Sequence, residues 1–173
     1  MLQRLFRPAA RDAARPLYDA VVAQARQPVF YAEIGVPDTP EGRYDLIVLH
    51  VILVLRRLRA EGEDGRRFGQ HLFDTLFRDM DRSLREMGVG DLIVPKRIRK
   101  MGEAFYGRAG RYEPALEARD EAALAEGIAA NILGRDPDAQ ARRLAQYALA
   151  AEATLRDAAY DDLRRGELAW PTA

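Results

Sequence analysis

The run LIVLHVILVL, residues 46 to 55, is apolar on every side of whatever element carries it, with only His50 interrupting. Ile47, Val48, Val51, Ile52 and Val54 are β-branched and suit a buried strand as well as a buried helix. The flanks separate the two. Tyr44 and Asp45 before the run, and Arg56, Arg57, Leu58 and Arg59 after it, continue a helical spacing, whereas a buried strand would be bounded closely by turns. Thr39 supplies a side-chain cap and Pro40 a first-turn residue, so a helix is predicted from about Pro40 to Ala60, with Gly42 near its solvated start. The run is ten residues long, and a transmembrane helix needs about 20. A helix without a polar face must be surrounded by partners. The expected fold is therefore all-α, a single multi-helix domain built around this buried helix.

Toward the N-terminus, Pro16 to Arg26 reads as a short helix with Leu17, Val21 and Ala25 inward, limited by Pro28. VFYAEIGVPDTP, residues 29 to 40, carries turn chemistry around Gly35 and Pro37. Residues 1 to 15 are expected to form a flexible N-terminal segment. Leu2, Leu5 and Phe6 are interrupted by Arg4 and Arg7, which leaves no continuous apolar signal region, and Asp12 argues against a transit peptide.

Toward the C-terminus, EGEDG at 61 to 65 reads as a turn before a helix from Arg66 to Met87. Leu72, Phe73, Leu76, Phe77, Met80, Leu84 and Met87 share its apolar face, and Asp74/Arg78 and Asp81/Arg85 are spaced for pairing one turn apart. Gly88 is a natural stop. A short helix from Pro95 to Tyr106 turns Ile98, Met101 and Phe105 inward and leaves Arg97, Lys100 and Arg108 hydrated. Tyr112 opens another ordered stretch, a helix spans Asp120 to Leu133, and Gly134 and Pro137 mark a boundary. Asp138 to Arg165 reads as one final helix with Leu144, Tyr147, Ala148, Ala151, Leu155, Ala158, Ala159 and Leu163 inward. The domain is taken as residues 16 to 165, and the tail 166 to 173, with Trp170, is expected to dock locally or fray.

Composition narrows the chemistry. The 173 residues hold no cysteine, which removes disulfides, thiolate nucleophiles and cysteine metal sites. Twenty-seven basic and 27 acidic residues cancel, so no global field draws the molecule to nucleic acid, and no DNA partner is expected. His50 sits inside the apolar run, where a satisfied core histidine is the simpler reading. His71, with Asp74 one turn on, is the only other histidine, and a metal-assisted hydrolase using it would lack any HExxH-type spacing. GVGD at 88 to 91 lacks the context of a dinucleotide or phosphate loop, and the single serine, Ser83, has no nucleophile elbow. No catalytic centre, metal site or cofactor is expected.

Charge is distributed less evenly than its sum. Residues 96 to 111 carry six basic residues against Glu103 alone, whereas 112 to 173 carry seven basic and twelve acidic residues. KRIRK at 96 to 100 could meet RNA phosphate, anionic lipid or an acidic partner, or be a solvated face that balances the acidic C-terminal third. No RNA-binding signature accompanies it.

Residues 39 to 59, TPEGRYDLIVLHVILVLRRLR, and 76 to 108, LFRDMDRSLREMGVGDLIVPKRIRKMGEAFYGR, resemble the ubiquinol-cytochrome c chaperone family of mitochondrial cytochrome b assembly factors and their bacterial relatives. The resemblance spans about residues 16 to 155 and is most specific in the middle. It implies an all-helical, non-enzymatic assembly chaperone for a hydrophobic respiratory membrane-protein client, cytochrome b of the bc1 complex. It also implies the ribosome exit region and a small helper protein as partners in mitochondria. A bacterial member would be cytoplasmic with peripheral contact at the inner membrane, and a eukaryotic one mitochondrial. The partner-binding candidates are Asp79, Asp81 and Asp91 around the GVGD turn, with Lys96, Arg97, Lys100 and Arg108 as charged contacts. An RNA-binding or ribosome-associated module is the alternative reading of the same patch.

Overall fold

The computed structural model describes residues 13–173; what the sequence suggested for residues 1–12 lies outside them. Every described element is helical: α1 (Arg15–Ala25), α2 (Pro28–Ala32), α3 (Pro40–Arg59), α4 (Gly62–Glu86), α5 (Val94–Ala118), α6 (Glu121–Ile128), a π-helical turn (Ala129–Leu133), α7 (Ala139–Asp157) and α8 (Tyr160–Arg165). The fold is all-α, as the sequence reading expected.

α3 is the axis. Thr39 caps it, its Oγ1 accepting from the Gly42 N–H at 3.1 Å, and Glu41 in the first turn and arginines in the last suit the helix dipole. Every residue from Tyr44 to Val54 is buried. α1, α4, α5, α7 and the π-helical turn all pack against it. Packing on all sides outweighs the modest helix propensity of its valines and isoleucines, each worth about 1.5–3 kcal/mol when fully buried.

Four boundaries depart from the sequence reading. Pro28 opens a single helical turn, α2, because Phe30 inserts into the core at 0% exposure. EGEDG is not a separate turn: α4 begins at Gly62, and Glu63 and Asp64 occupy its first turn, where carboxylates are favoured. Gly65 lies at the crossing of α3 and α4, where a Cβ would stand 1.9 Å from the Leu58 carbonyl oxygen. α5 does not stop at Tyr106 but runs on through Pro114 to Ala118, held by buried Tyr112, Ala115 and Leu116 despite the lost backbone hydrogen bond.

The expected single C-terminal helix is broken at Ala158 and Ala159, whose backbones are extended. The Arg57 guanidinium donates to the freed Ala158 carbonyl at 2.8 Å. The break lets α8 turn back onto α1 and bury Leu163. Beyond it the tail docks: Trp170 sets its ring edge-on to His50 with centroids 5.2 Å apart, and Arg143 donates to the Ala173 carbonyl at 3.0 Å.

Candidate functional site

α4 and α5 are 25 residues each and pair as a hairpin whose turn holds the GVGD text. At about 1.5 Å per residue each is ~37 Å long. Phe73, Phe77 and Phe105 close the seam, with Phe73 to Phe77 at 4.7 Å and Phe73 to Phe105 at 5.1 Å between ring centroids. Tyr106 packs on Phe73 with one side and faces solvent with the other.

The seven candidate residues separate into three groups along this hairpin. Asp79 is a tie: it accepts from the Tyr18 hydroxyl at 2.9 Å, pairs with Arg82 and lies 3.8 Å from Arg15, fastening α4 to α1. Burial and the neighbouring Asp79 carboxylate push the Tyr18 hydroxyl far above its ordinary pKa. Arg108, read from sequence as hydrated, is instead drawn into α3, where its guanidinium meets the Asp45 carboxylate at 2.7 Å with both side chains mostly buried. Burial pushes the Asp45 carboxyl up to about 6, and Arg108 pulls the other way.

Asp81 and Asp91 both pair with Arg85, which crosses the base of the hairpin turn. Lys96, Arg97 and Lys100 remain exposed on the first turns of α5 and make no ion pair with any described residue. Arg99 beside them is answered by Glu103 at 3.0 Å. What the sequence reading missed is apolar: Met87, assigned to an inward face, is 57% exposed, and Leu92 and Ile93 are exposed with it. The signal was present in DLIV, three aliphatics set between Gly90 and Pro95, of which α5 claims only Val94.

Neither histidine forms a reactive centre. The His50 Nδ1 lies 2.8 Å from the Leu46 carbonyl and its Nε2 2.8 Å from the Tyr147 hydroxyl, which accepts in turn from the Gln24 amide at 2.9 Å. The consistent assignment has Nδ1–H donating to Leu46 and Nε2 accepting from Tyr147. Burial lowers the His50 pKa to about 4, so the ring is neutral at physiological pH. Asp74 accepts from Gln70 at 2.8 Å rather than meeting His71. Among the described residues no group of three or more histidine, aspartate or glutamate side chains is placed to hold a metal ion.

A depression of 520 Å³ lined by Arg56, Arg57, Arg119 and Arg156 lies where α3, α5 and α7 end. Arg56 bonds Glu117 and Glu152 at 2.9 Å, and the arginines offset the negative ends of three helices, which is a structural role.

The ubiquinol-cytochrome C chaperone family model matches residues 32–170, from α2 to the docked tail. The chain belongs to this family. Similar proteins that carry the name ubiquinol-cytochrome c reductase complex assembly factor 1 include those of Xenopus laevis and Mus musculus. The Xenopus laevis protein is 25% identical over 126 residues, covering 73% of this chain and 62% of that one. The Mus musculus protein is 26% identical over 108 residues, covering 62% of this chain and 37% of that one. The chain thus spans less than two thirds of the length of these relatives. The crystal structure of the Cbp3 homolog from Brucella abortus superposes with a TM-score of 0.83 at 39% identity, covering 95% of this chain and 91% of that one. The family member described here therefore shares that fold along nearly its whole length. No helix among its described residues is long and apolar enough to cross a membrane.

Proposed function

We propose that this chain is a non-catalytic assembly chaperone for a hydrophobic respiratory membrane protein, with newly made cytochrome b of the bc1 complex as its client. The observation that carries the reading is the match to the Cbp3 homolog over 95% of the chain, joined to relatives named as assembly factors of that complex. The hairpin of α4 and α5 offers the means: exposed apolar side chains beside cations without ion-pair partners suit reversible shielding of an apolar client, with Lys96, Arg97 and Lys100 orienting the encounter.

The test is retention of a cytochrome b fragment by purified protein in mild detergent, against membrane-protein fragments of matched length and hydropathy. Cytochrome b is expected to be retained more strongly. The triple variant Lys96→Glu/Arg97→Glu/Lys100→Glu is expected to lose roughly tenfold in affinity with no loss of thermal stability, since rim charges act on encounter. Undiminished retention by that variant removes the patch from the reading. Lack of preference for cytochrome b removes the client. Salt-sensitive RNA capture through the same residues would move the function to the ribosome.

A further inference from the structure

The α4–α5 turn presents an apolar tip that no described residue covers. Leu92 is 88% exposed and Ile93 51%, with Met87 exposed beside them. The turn is ordered by its own bonds: Val89 N–H donates to Leu84 O at 3.0 Å, Ile93 and Val94 N–H to Gly90 O at 2.8 and 3.1 Å, and Arg85 reaches Asp91. Leu84 and Val94 are buried beneath it but stand apart from the main core cluster. A single exposed leucine is ordinary, but three large aliphatics at one hairpin end form a patch that calls for a partner.

The charge beside the tip is placed against the helix's own electrostatics. Lys96, Arg97 and Lys100 fall on the first two turns of α5, whose first turn contains no acidic residue. The N-terminal end of a helix is its positive end, so cations there are disfavoured by the dipole and by one another. No described residue offsets Lys96, Arg97 or Lys100, whereas the other charged residues of the turn are paired: Arg85 with Asp81 and Asp91, Arg82 with Asp79, Arg99 with Glu103. An anionic surface outside the chain would offset both the three cations and the positive end of the helix.

We propose that this tip is a peripheral docking site for an anionic phospholipid surface. A turn at the end of a hairpin is convex, which suits a bilayer rather than a cleft-binding ligand. Leu92, Ile93 and Met87 enter the boundary between headgroups and acyl chains, while Lys96, Arg97 and Lys100, one to two turns behind, lie at the level of the phosphates. The long lysine and arginine stems span the difference in depth. The inference concerns the client-free protein, so it stands or falls separately from the identity of the client.

The test is co-sedimentation of the purified, client-free full chain with vesicles of phosphatidylcholine alone or mixed with phosphatidylglycerol. Binding is expected only to the mixed vesicles and is expected to weaken with added salt. Lys96→Glu/Arg97→Glu/Lys100→Glu should lower partitioning by about a hundredfold or more, and Leu92→Ser/Ile93→Ser by about tenfold. Leu92→Ser/Ile93→Ser should melt with the parent protein, because Leu92 and Ile93 are largely solvent-facing, and the charge reversal should melt no lower than the parent, because carboxylates suit the N-terminal end of α5 better than cations do. Equal binding by either variant, binding that ignores phosphatidylglycerol, or no binding by the parent would overturn the proposal. Soluble polyglutamate serves as the competing probe: binding as tight as to vesicles and indifferent to Leu92→Ser/Ile93→Ser would assign the cations to an acidic protein partner instead.

Discussion

His50 shows how one polar residue is accommodated at the centre of an apolar helix. Both ring nitrogens are satisfied, by Leu46 and Tyr147, and Phe30, Tyr147 and Trp170 enclose the ring. Its folded pKa of about 4 lies below the ordinary 6.5, so the folded state resists a proton that the unfolded chain accepts. Stability from this group is complete above pH 6.5 and is lost as pH falls toward 4, by about 3 kcal/mol in all. Asp45 acts oppositely: its carboxyl is raised to about 6, so protonation below that pH favours the folded state. The difference between parent and His50→Gln cancels Asp45 and isolates the histidine. Denaturant titrations should show the parent losing roughly 3 kcal/mol relative to His50→Gln between pH 6.5 and 4, and parallel pH profiles would refute the assignment. At Arg108 the expected outcome is structural. Arg108→Met strands the Asp45 carboxylate and should cost about 3–5 kcal/mol, most of it recovered in Asp45→Asn/Arg108→Met. A destabilised single variant that the second substitution fails to rescue would show that the pair is not the reason.

At the scale of elements, α3 and α4 were legible because their information is local: a capped start, an apolar run or face, and pairs one turn apart. Apart from the start of α4, set by Glu63 and Asp64 in its own first turn, the errors fell where a distant residue decides. Alanines at 158 and 159 look helical, and it is Arg57, reaching across from α3, that takes the carbonyl released by the break. The sequence reading ended α5 at Tyr106, and the burial of Tyr112 and Leu116 carries the helix on through Pro114. The glycines of α4 and α5 make the distinction testable. Gly65 sits under the Leu58 carbonyl, so Gly65→Ala forces the helices apart and should cost about 1–3 kcal/mol. A Cβ at Gly107, in mid-α5, meets nothing within 4 Å, so Gly107→Ala should stabilise by about 0.5–1 kcal/mol through helix propensity. Thermal melts that move both variants in the same direction would contradict the packing described.

Across the whole molecule, the sequence resemblance and the hydrophobic pattern reached the same architecture, but they ranked the candidate residues without separating them. Asp79 and Arg108 fasten α4 to α1 and α5 to α3, whereas Lys96, Arg97 and Lys100 face solvent. Nothing in their spacing distinguishes these roles, because Tyr18 and Asp45, which capture the first two, lie more than 60 residues away in the chain. The C-terminal tail is tied in by equally distant contacts. Gly166 lies where a Cβ would be 2.4 Å from the Pro16 carbonyl oxygen, and Trp170, the only tryptophan, rests on the central histidine. Its fluorescence therefore reports on the tail and on the core at once. If the tail is part of one cooperative unit, denaturant unfolding followed by Trp170 fluorescence and by far-ultraviolet circular dichroism will give the same midpoint and slope. A fluorescence transition that precedes the loss of helix would mean that the tail leaves the core while the helices persist, and would open the His50 site to water before the domain unfolds.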